Sequence, residues 1–160
     1  MTGKTGRIKY LLAAVMLLAL FSCNGNLIYT DVADMPGASW NLFNTPDFSF
    51  NVADTTKSTN IFFTIRTGSQ YPYRNLFLFV TTIAPDGKSI TDTLEYNIAD
   101  EKGNWLGKGF GEIHELRLPY RKNVYFPVKG TYHFAVRHGM RTDDLKGVYD
   151  IGVTVERFVK

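Results

Sequence analysis

An apolar pattern with a period of two limits the folds that this chain can adopt. It occurs in residues 48–52, 61–65 and 151–155, where every second residue is Phe, Ile or Val. Successive side chains of a β-strand point to opposite faces of a sheet, so this pattern predicts strands with one buried face. The 12 Phe and 9 Tyr residues of the chain add to the preference for strands over helices.

Turn signals divide the chain into about eight predicted strands, at a spacing of roughly 8 to 12 residues. Residues 76–83 are apolar on both sides, which predicts a central strand covered on both faces. Pro85-Asp86-Gly87-Lys88 predicts a turn, after which residues 91–98 pair back as a hairpin. Further strands are predicted over residues 113–118, 131–137 and 148–159, and one helical turn over 141–145. The predicted fold is an all-β, antiparallel β-sandwich of the jelly-roll kind.

The amino-terminal segment has the pattern of an export signal. Lys4, Arg7 and Lys9 precede an apolar run over residues 11–21. A transmembrane helix needs roughly 20 apolar residues, so this run is too short to cross a bilayer comfortably. Residues 1–22 are therefore predicted to be a helical signal peptide.

The single cysteine follows this segment directly. Leu20-Phe21-Ser22-Cys23 resembles a lipobox, in which the cysteine becomes the lipid-modified amino terminus. Acyl chains such as palmitate would then anchor the protein to a membrane. The alternatives are an ordinary secretory signal or a buried cysteine. The predicted organisation is a signal peptide over residues 1–22, a lipidated tether over 23–26 and a β-sandwich domain over 27–160.

The charge of the processed chain excludes one class of partner. Three of the 18 basic residues lie in the signal, which leaves 15 to balance the 15 acidic residues. A formal charge of zero is not the basic footprint of a nucleic-acid-binding protein. It gives no support to attraction by anionic lipids either.

Reactive constellations are not apparent in the sequence. His114, His133 and His138 lack the spacing of a metal site, so neither a metal nor another cofactor is predicted. There is no Gly-x-Ser-x-Gly elbow, and the one cysteine is assigned to lipid. The glycines of residues 107–111 lack the Gly-Lys-Ser/Thr ending of a phosphate loop. We therefore expect a protein without catalytic activity.

Two clusters, over residues 71–76 and 139–141, and the separate Trp105 carry residue types that are common at protein interfaces. Tyrosine, tryptophan and arginine bury a large area and still form hydrogen bonds at their polar ends. Arg141 could alternatively pair with Asp143, Asp144 or Asp150, and both clusters could be anchored by their own hydrogen bonds. The candidate binding residues are Tyr71, Tyr73, Arg74, Asn75, Trp105 and Arg141.

A series of short motifs resembles one family over most of the chain. In order, they are Trp40, Ile65-Arg66, Tyr71-Pro72-Tyr73-Arg74-Asn75-Leu76, Asp92-Thr93, Ala99-Asp100, Gly103-x-Trp105-x-Gly107-x-Gly109 and Met140-Arg141-x3-Leu145-x-Gly147-x2-Asp150-Ile151-Gly152. Their order and spacing are similar to those of the gliding motility lipoprotein GldH family. The resemblance implies an envelope lipoprotein associated with gliding machinery and the linked type IX secretion system. No enzymatic activity is established for the family, and members also occur in bacteria that do not glide.

Two hypotheses of function follow. The first is a noncatalytic assembly or stabilising component that docks envelope proteins, such as other gliding or secretion lipoproteins, through residues 71–75 and 105–111. The second is a carbohydrate-binding β-sandwich lipoprotein in which Tyr71, Tyr73 and Trp105 stack on sugar rings. The segment after Cys23 lacks an acidic run resembling a surface-export signal, so we expect the outer membrane, on its periplasmic face.

Overall fold

The computed structural model describes residues 25–159, apart from the side chain of Phe110. The predicted signal peptide and Cys23 lie outside this part. The described chain is all-β, as predicted, with one short 3-10 helix at Pro36–Ala38. The strands are β1 (Leu27–Asp34), β2 (Ser39–Asn41), β3 (Asp47–Val52), β4 (Thr59–Thr67), β5 (Asn75–Ile83), β6 (Ser89–Asn97), β7 (Lys108–Phe110), β8 (Ile113–Val124), β9 (Gly130–His138), β10 (Asp144–Lys146) and β11 (Val148–Arg157). Within residues 25–159, no helix is long and apolar enough to cross a membrane.

The strands form a sandwich with the strand order of a jelly roll. One sheet has the order β1-β11-β4-β8-β7, the other β3-β9-β5-β6, and β10 pairs with β2 in a small third sheet. Every pairing is antiparallel. The eight long strands can be renumbered 1 to 8 along the chain by leaving out the three-residue strands. In these numbers, the strands lie side by side in the order 1-8-3-6 in one large sheet and 2-7-4-5 in the other. This arrangement is a double-sheet jelly roll, so the predicted fold class is confirmed.

The count of about eight strands applies to the long ones. Strand β1 and the three-residue strands β2, β7 and β10 have no counterpart among the predicted ranges. A three-residue strand is too short to show an alternating pattern. The turn at residues 85–88 and its hairpin are confirmed, because β5 and β6 pair from Asn75↔Asn97 to Ile83↔Ser89.

The core lies between the two large sheets and follows the alternating pattern. In β4, the side chains of Ile61, Phe63 and Ile65 point inward and are at most 2% exposed. The opposing sheet contributes Leu76, Leu78 and Val80 of β5, which are fully buried. Burial of each such side chain stabilises the fold by about 1.5 to 3 kcal/mol.

The prediction that β5 is covered on both faces is wrong. Its inner residues are buried, but Phe77 and Phe79 on the outer face are only half-buried. No further layer covers this face among residues 25–159, and the guanidinium of Arg137 lies 5.2 Å from the centre of the Phe79 ring. Apolar residues on both sides of β5 therefore do not reflect burial on both sides. Phe77 and Phe79 form an aromatic strip on the outside of the sandwich.

The predicted helical turn over residues 141–145 is also wrong. Residues 144–146 form β10, in which Leu145 lies opposite Trp40 of β2. Both of these side chains are fully buried, and this burial outweighs the weak helical preference of the segment. Asp144 accepts a hydrogen bond from Asn41 Nδ2 at 2.9 Å instead of starting a helix.

The sandwich has two ends that differ in their relation to the predicted lipid. The tether end is the end at which β1 begins at Leu27, four residues after Cys23. The distal end is the end at which β1 finishes at Asp34. The loops 68–74, 98–107 and 139–143 lie at the distal end, because they follow or precede strand residues paired on that side. The eight residues of β1 separate the ends by about 26 Å.

Candidate functional site

The loops that carry the candidate binding residues form one continuous surface at the distal end. The amides of Ile98 and Ala99 donate to the carbonyl of Arg74 at 2.7 and 3.0 Å. The amide of Gly139 donates to the carbonyl of Phe77 at 2.7 Å. Residues that are far apart in sequence are thus held together by backbone hydrogen bonds, so all six candidates share one end of the domain.

Tyr71 is part of the core and does not face the solvent. It is 5% exposed, and its hydroxyl donates to the carbonyl of Asn75 at 2.7 Å. Burial raises the pKa of Tyr71 well above its ordinary value, and the neighbouring Tyr73 adds to the shift. The structure therefore corrects the expectation that Tyr71 presents its ring to a ligand: Tyr71 fixes the loop that leads into β5.

Trp105 is half-buried, and one face of its ring is already occupied. It stacks on His114 with ring centres 5.1 Å apart and an angle of 13° between the planes. The ring centre of Tyr71 lies 6.4 Å from that of Trp105, with an angle of 57° between the ring planes. It lies 6.1 Å from the ring centre of Tyr73, with an angle of 80°. The three rings touch but are not coplanar, so they do not form the flat aromatic platform that the carbohydrate hypothesis requires.

Tyr73 and Arg141 instead line a shallow groove, which we call the distal groove. Its five lining residues are Tyr73, Phe77, Gly139, Met140 and Arg141, and its volume is about 430 Å³. Tyr73 is 36% exposed. The sulfur of Met140 accepts a hydrogen bond from the amide of Phe77 at 3.3 Å, which holds the two walls together. The groove therefore combines an aromatic strip, a thioether and an exposed guanidinium.

Gly139 allows the two walls of the groove to approach closely. A Cβ atom at this position would lie 2.8 Å from the Phe79 ring and 3.1 Å from Cβ of Phe77. Sequence reasoning missed Phe77, Gly139 and Met140 as site residues. The alternation along β5 could have indicated Phe77, because this residue lies between the buried Leu76 and Leu78 and therefore points to the opposite, outer face of the sheet.

The two remaining polar candidates, Arg74 and Asn75, are not among the residues that line the groove. Arg74 is exposed on the loop before β5. Asn75 opens β5 and donates from Nδ2 to Glu95 on β6 at 2.7 Å. Asn75 is therefore engaged in a cross-strand hydrogen bond, whereas the Arg74 side chain is presented to solvent.

Asp150, one of the three acidic residues considered as partners of Arg141, is paired with another arginine. Asp150 is paired with Arg66, whose Nε and terminal nitrogen both lie 2.6 Å from Oδ2. Burial raises the pKa of Asp150, and the charge of Arg66 opposes that rise. This pair lies on the outer face of the five-stranded sheet, next to the helix at residues 36–38, away from the distal groove.

The three histidines lie in different parts of the domain. Within residues 25–159, no three His, Cys, Asp or Glu side chains are grouped as they would be around a metal ion. His114 stacks on Trp105, His133 contacts Asp47 at 2.9 Å, and His138 is buried beside Trp40. Each histidine thus has a separate environment.

Comparison with known proteins identifies the family. The family model described as GldH lipoprotein matches residues 27–155. A gliding motility lipoprotein GldH homolog from Christiangramia forsetii is 33% identical over 151 residues, covering 89% of this chain and 92% of that protein. Gliding motility lipoprotein GldH from Flavobacterium johnsoniae is 34% identical over 154 residues, covering 92% of this chain and 93% of that protein.

Similarity to solved structures is remote. A cleaved adhesin domain of Lys-gingipain from Porphyromonas gingivalis is similar at a TM-score of 0.37 and 13% identity, with 88% of each chain covered. A score at this level carries no argument about function. The family match and both relatives span nearly the whole folded domain, and the motifs around the distal groove lie within it. The chain therefore belongs to the GldH family of gliding motility lipoproteins.

Proposed function

We propose that this protein is a noncatalytic, lipid-anchored component of gliding motility and type IX secretion machinery that docks envelope protein partners through the distal groove. Cys23 is the proposed lipid attachment point, and the proposed location is the periplasmic face of the outer membrane. Family membership supports a role in gliding. The distal groove supplies the surface for a partner.

One observation carries this proposal: the groove exposes interface chemistry on a rigid scaffold. Phe77 lies on a central strand, and Tyr73 and Met140 are fixed to it through the loop hydrogen bonds and the Phe77–Met140 contact. Aromatic residues, methionine and arginine are enriched at protein interfaces, and well-packed anchors supply most of the binding energy. Because these anchors are already ordered, a partner would lose little conformational entropy in the protein when it binds.

The position of the groove favours a partner above the membrane. The groove lies at the distal end, about 26 Å from the end to which Cys23 is joined. A lipid at Cys23 would hold the tether end near the bilayer and direct the groove away from it. Arg141, which lines the groove, favours a partner surface with carboxylates.

Crosslinking in intact cells tests the docking surface. The full chain carries a photoreactive amino acid at position 73 in one variant and at position 149 in another. Tyr149 is a matched control, because it is also 36% exposed but lies on β11 in the other sheet. We expect protein adducts from position 73. When Met140→Ala and Arg141→Ala are added to that variant, two anchor residues are removed, so the number of adducts should fall by at least about tenfold. Equal adducts from both positions would remove the distal groove from consideration.

The carbohydrate alternative loses its main support in this structure. It relied on stacking by Tyr71, Tyr73 and Trp105, but Tyr71 is buried and Trp105 is stacked on His114. Only Tyr73 keeps an exposed ring in the groove. Saturable binding of a glycan to the full chain that is lost in Trp105→Ala would reinstate this alternative.

A further inference from the structure

The tether end carries a second surface with a different composition from the distal groove. We define the tether face as residues 25–28, 53–58, 84–90, 122–129 and 157–159. These segments adjoin one another: the amide of Arg157 donates to Asn26, the amide of Phe158 donates to Ser58, and a Cβ on Gly130 would lie 2.9 Å from Pro85. The tether face is therefore one contiguous end of the sandwich.

The charge of the tether face is positive, although the processed chain is neutral as a whole. Two acids, Asp54 and Asp86, lie on this face and pair with Lys57 and Lys88 at 3.8 and 2.9 Å. The five basic residues of the face are Lys57, Lys88, Lys122, Lys129 and Arg157, all with exposed side chains. The net positive charge of the tether face comes from Lys122, Lys129 and Arg157.

The distal end shows the opposite balance. Its loops, together with Asp34 and residues 108–112 and 144–147, contain five basic residues and six acidic ones. A net charge of zero thus hides a separation of charge along the long axis of the domain. An anionic surface would attract the tether face and not the distal end.

The tether face also exposes apolar side chains of the kind found at bilayer interfaces. Tyr125 and Val159 are each 62% exposed, and Ile28 and Val128 are 42% and 38% exposed. Tyrosine is favoured where an apolar body meets a polar surface, and lysine can extend its stem along apolar groups. Basic and apolar groups together are the composition of a surface that lies on lipid headgroups.

We infer that the tether face rests on an anionic phospholipid surface, which fixes the orientation of the domain on its membrane. The inference depends on the proposed lipid at Cys23. Leu27, where β1 begins, is four residues after Cys23, so the segment between them can reach at most about 14 Å. The screening length at physiological salt is about 8 Å. Even when fully extended, the tether therefore keeps the start of β1 within about two screening lengths of the lipid, and a less extended tether brings the charges of the face into range.

Quenching in vesicles tests this orientation. The purified lipoprotein is inserted into phosphatidylcholine vesicles with or without phosphatidylglycerol, and these vesicles contain a headgroup quencher. Since Cys23 is the only cysteine, Val128→Cys and its control Leu106→Cys at the distal end each provide one thiol for a fluorophore. We expect strong quenching at position 128 only, and weaker quenching in neutral vesicles. Lys122→Glu with Lys129→Glu should shift the equilibrium between the tether face in contact with lipid and the face free in solution towards the free state, by at least about fivefold for each reversed charge. The control pair at the distal end, Lys102→Glu with Lys108→Glu, should leave this equilibrium unchanged.

Flotation of the vesicles separates the two ideas. Protein that floats but is quenched equally at positions 128 and 106, or equally in neutral and anionic vesicles, overturns the inference and leaves the anchor in place. Protein that does not float contradicts the proposed lipid anchor, and the inference falls with it. Circular dichroism of each variant confirms that the charge reversals leave the β-sandwich intact.

Discussion

His138 is a buried titratable residue at the distal end, although its neighbours in sequence suggested only an alternating strand. Its side chain is fully buried against Trp40, and neither ring nitrogen has a hydrogen-bond partner in the described part of the chain. Burial lowers the pKa of His138, and the nearby backbone of Trp40 and Asp143 opposes the shift only in part. The folded protein therefore favours the neutral ring.

This environment predicts a loss of stability on mild acidification. The unfolded chain takes up a proton near the ordinary histidine pKa of about 6.5, while the folded chain takes it up at lower pH. The unfolded state thus binds more protons in that interval, and the free energy of unfolding falls as the pH drops from about 7 towards 5. Urea unfolding at both pH values measures this decrease in the free energy of unfolding. The decrease should be smaller in His138→Phe, and an unchanged decrease in that variant would contradict the prediction.

The Arg66–Asp150 pair leads to a second prediction about stability. The Asp150 side chain is 4% exposed, so Arg66→Ala would leave a buried carboxylate without its guanidinium. We expect destabilisation by about 2 to 3 kcal/mol at pH 7, measured by urea unfolding. Because burial raises the pKa of Asp150 in the folded state, the deficit should shrink as the pH falls and the carboxyl is protonated. The matched double variant Arg66→Ala with Asp150→Leu should recover part of the loss, and no recovery would argue against this cause.

At the scale of the elements, the short β10–β2 sheet depends on a close backbone contact at its end. Gly147 follows β10 with φ of 74°, and a Cβ there would overlap the backbone of Tyr71 and lie 2.7 Å from the carbonyl carbon of Gln70. Gly87 is a matched control, because its φ is 81° and an added Cβ would meet nothing within 4 Å.

Alanine at these two glycines should therefore differ in effect. Gly87→Ala carries only the cost of the left-handed conformation, about 1 to 2 kcal/mol. Gly147→Ala adds steric overlap with the loop that leads to Tyr73, so we expect a loss of at least about 4 kcal/mol or failure to fold. Urea unfolding compares them, and equal losses would show that the backbone contact at residues 70–71 is not limiting.

The elements also show where sequence reasoning reached its limit. Alternation predicted β4 and β11 because one face of each is buried, and this face leaves a direct signal in the residue types. It misjudged β5, where Phe77 and Phe79 are apolar without being covered by a third layer. It predicted a helical turn in place of β10 because Leu145 owes its burial to Trp40, a contact between residues 105 positions apart in the chain.

At the scale of the whole molecule, local signals fixed the class of fold but not the neighbours of each strand. Strand β1 pairs with β11, so that Thr30 and Thr154 meet across 124 residues. The same reason limited the candidate site. Tyr73 and Arg141 were predicted from their residue types, whereas the Phe77–Met140 contact that completes the groove joins residues 63 positions apart.

The pairing of the first and last strands also decides how the molecule would bear force. Strand β1 runs from the tether end of the domain towards the distal end, and it is joined to β11 through seven residue pairs. A pull between the anchor and a bound partner would act along the strands. The hydrogen bonds of that ladder would then be loaded in shear, all together, instead of opening one after another.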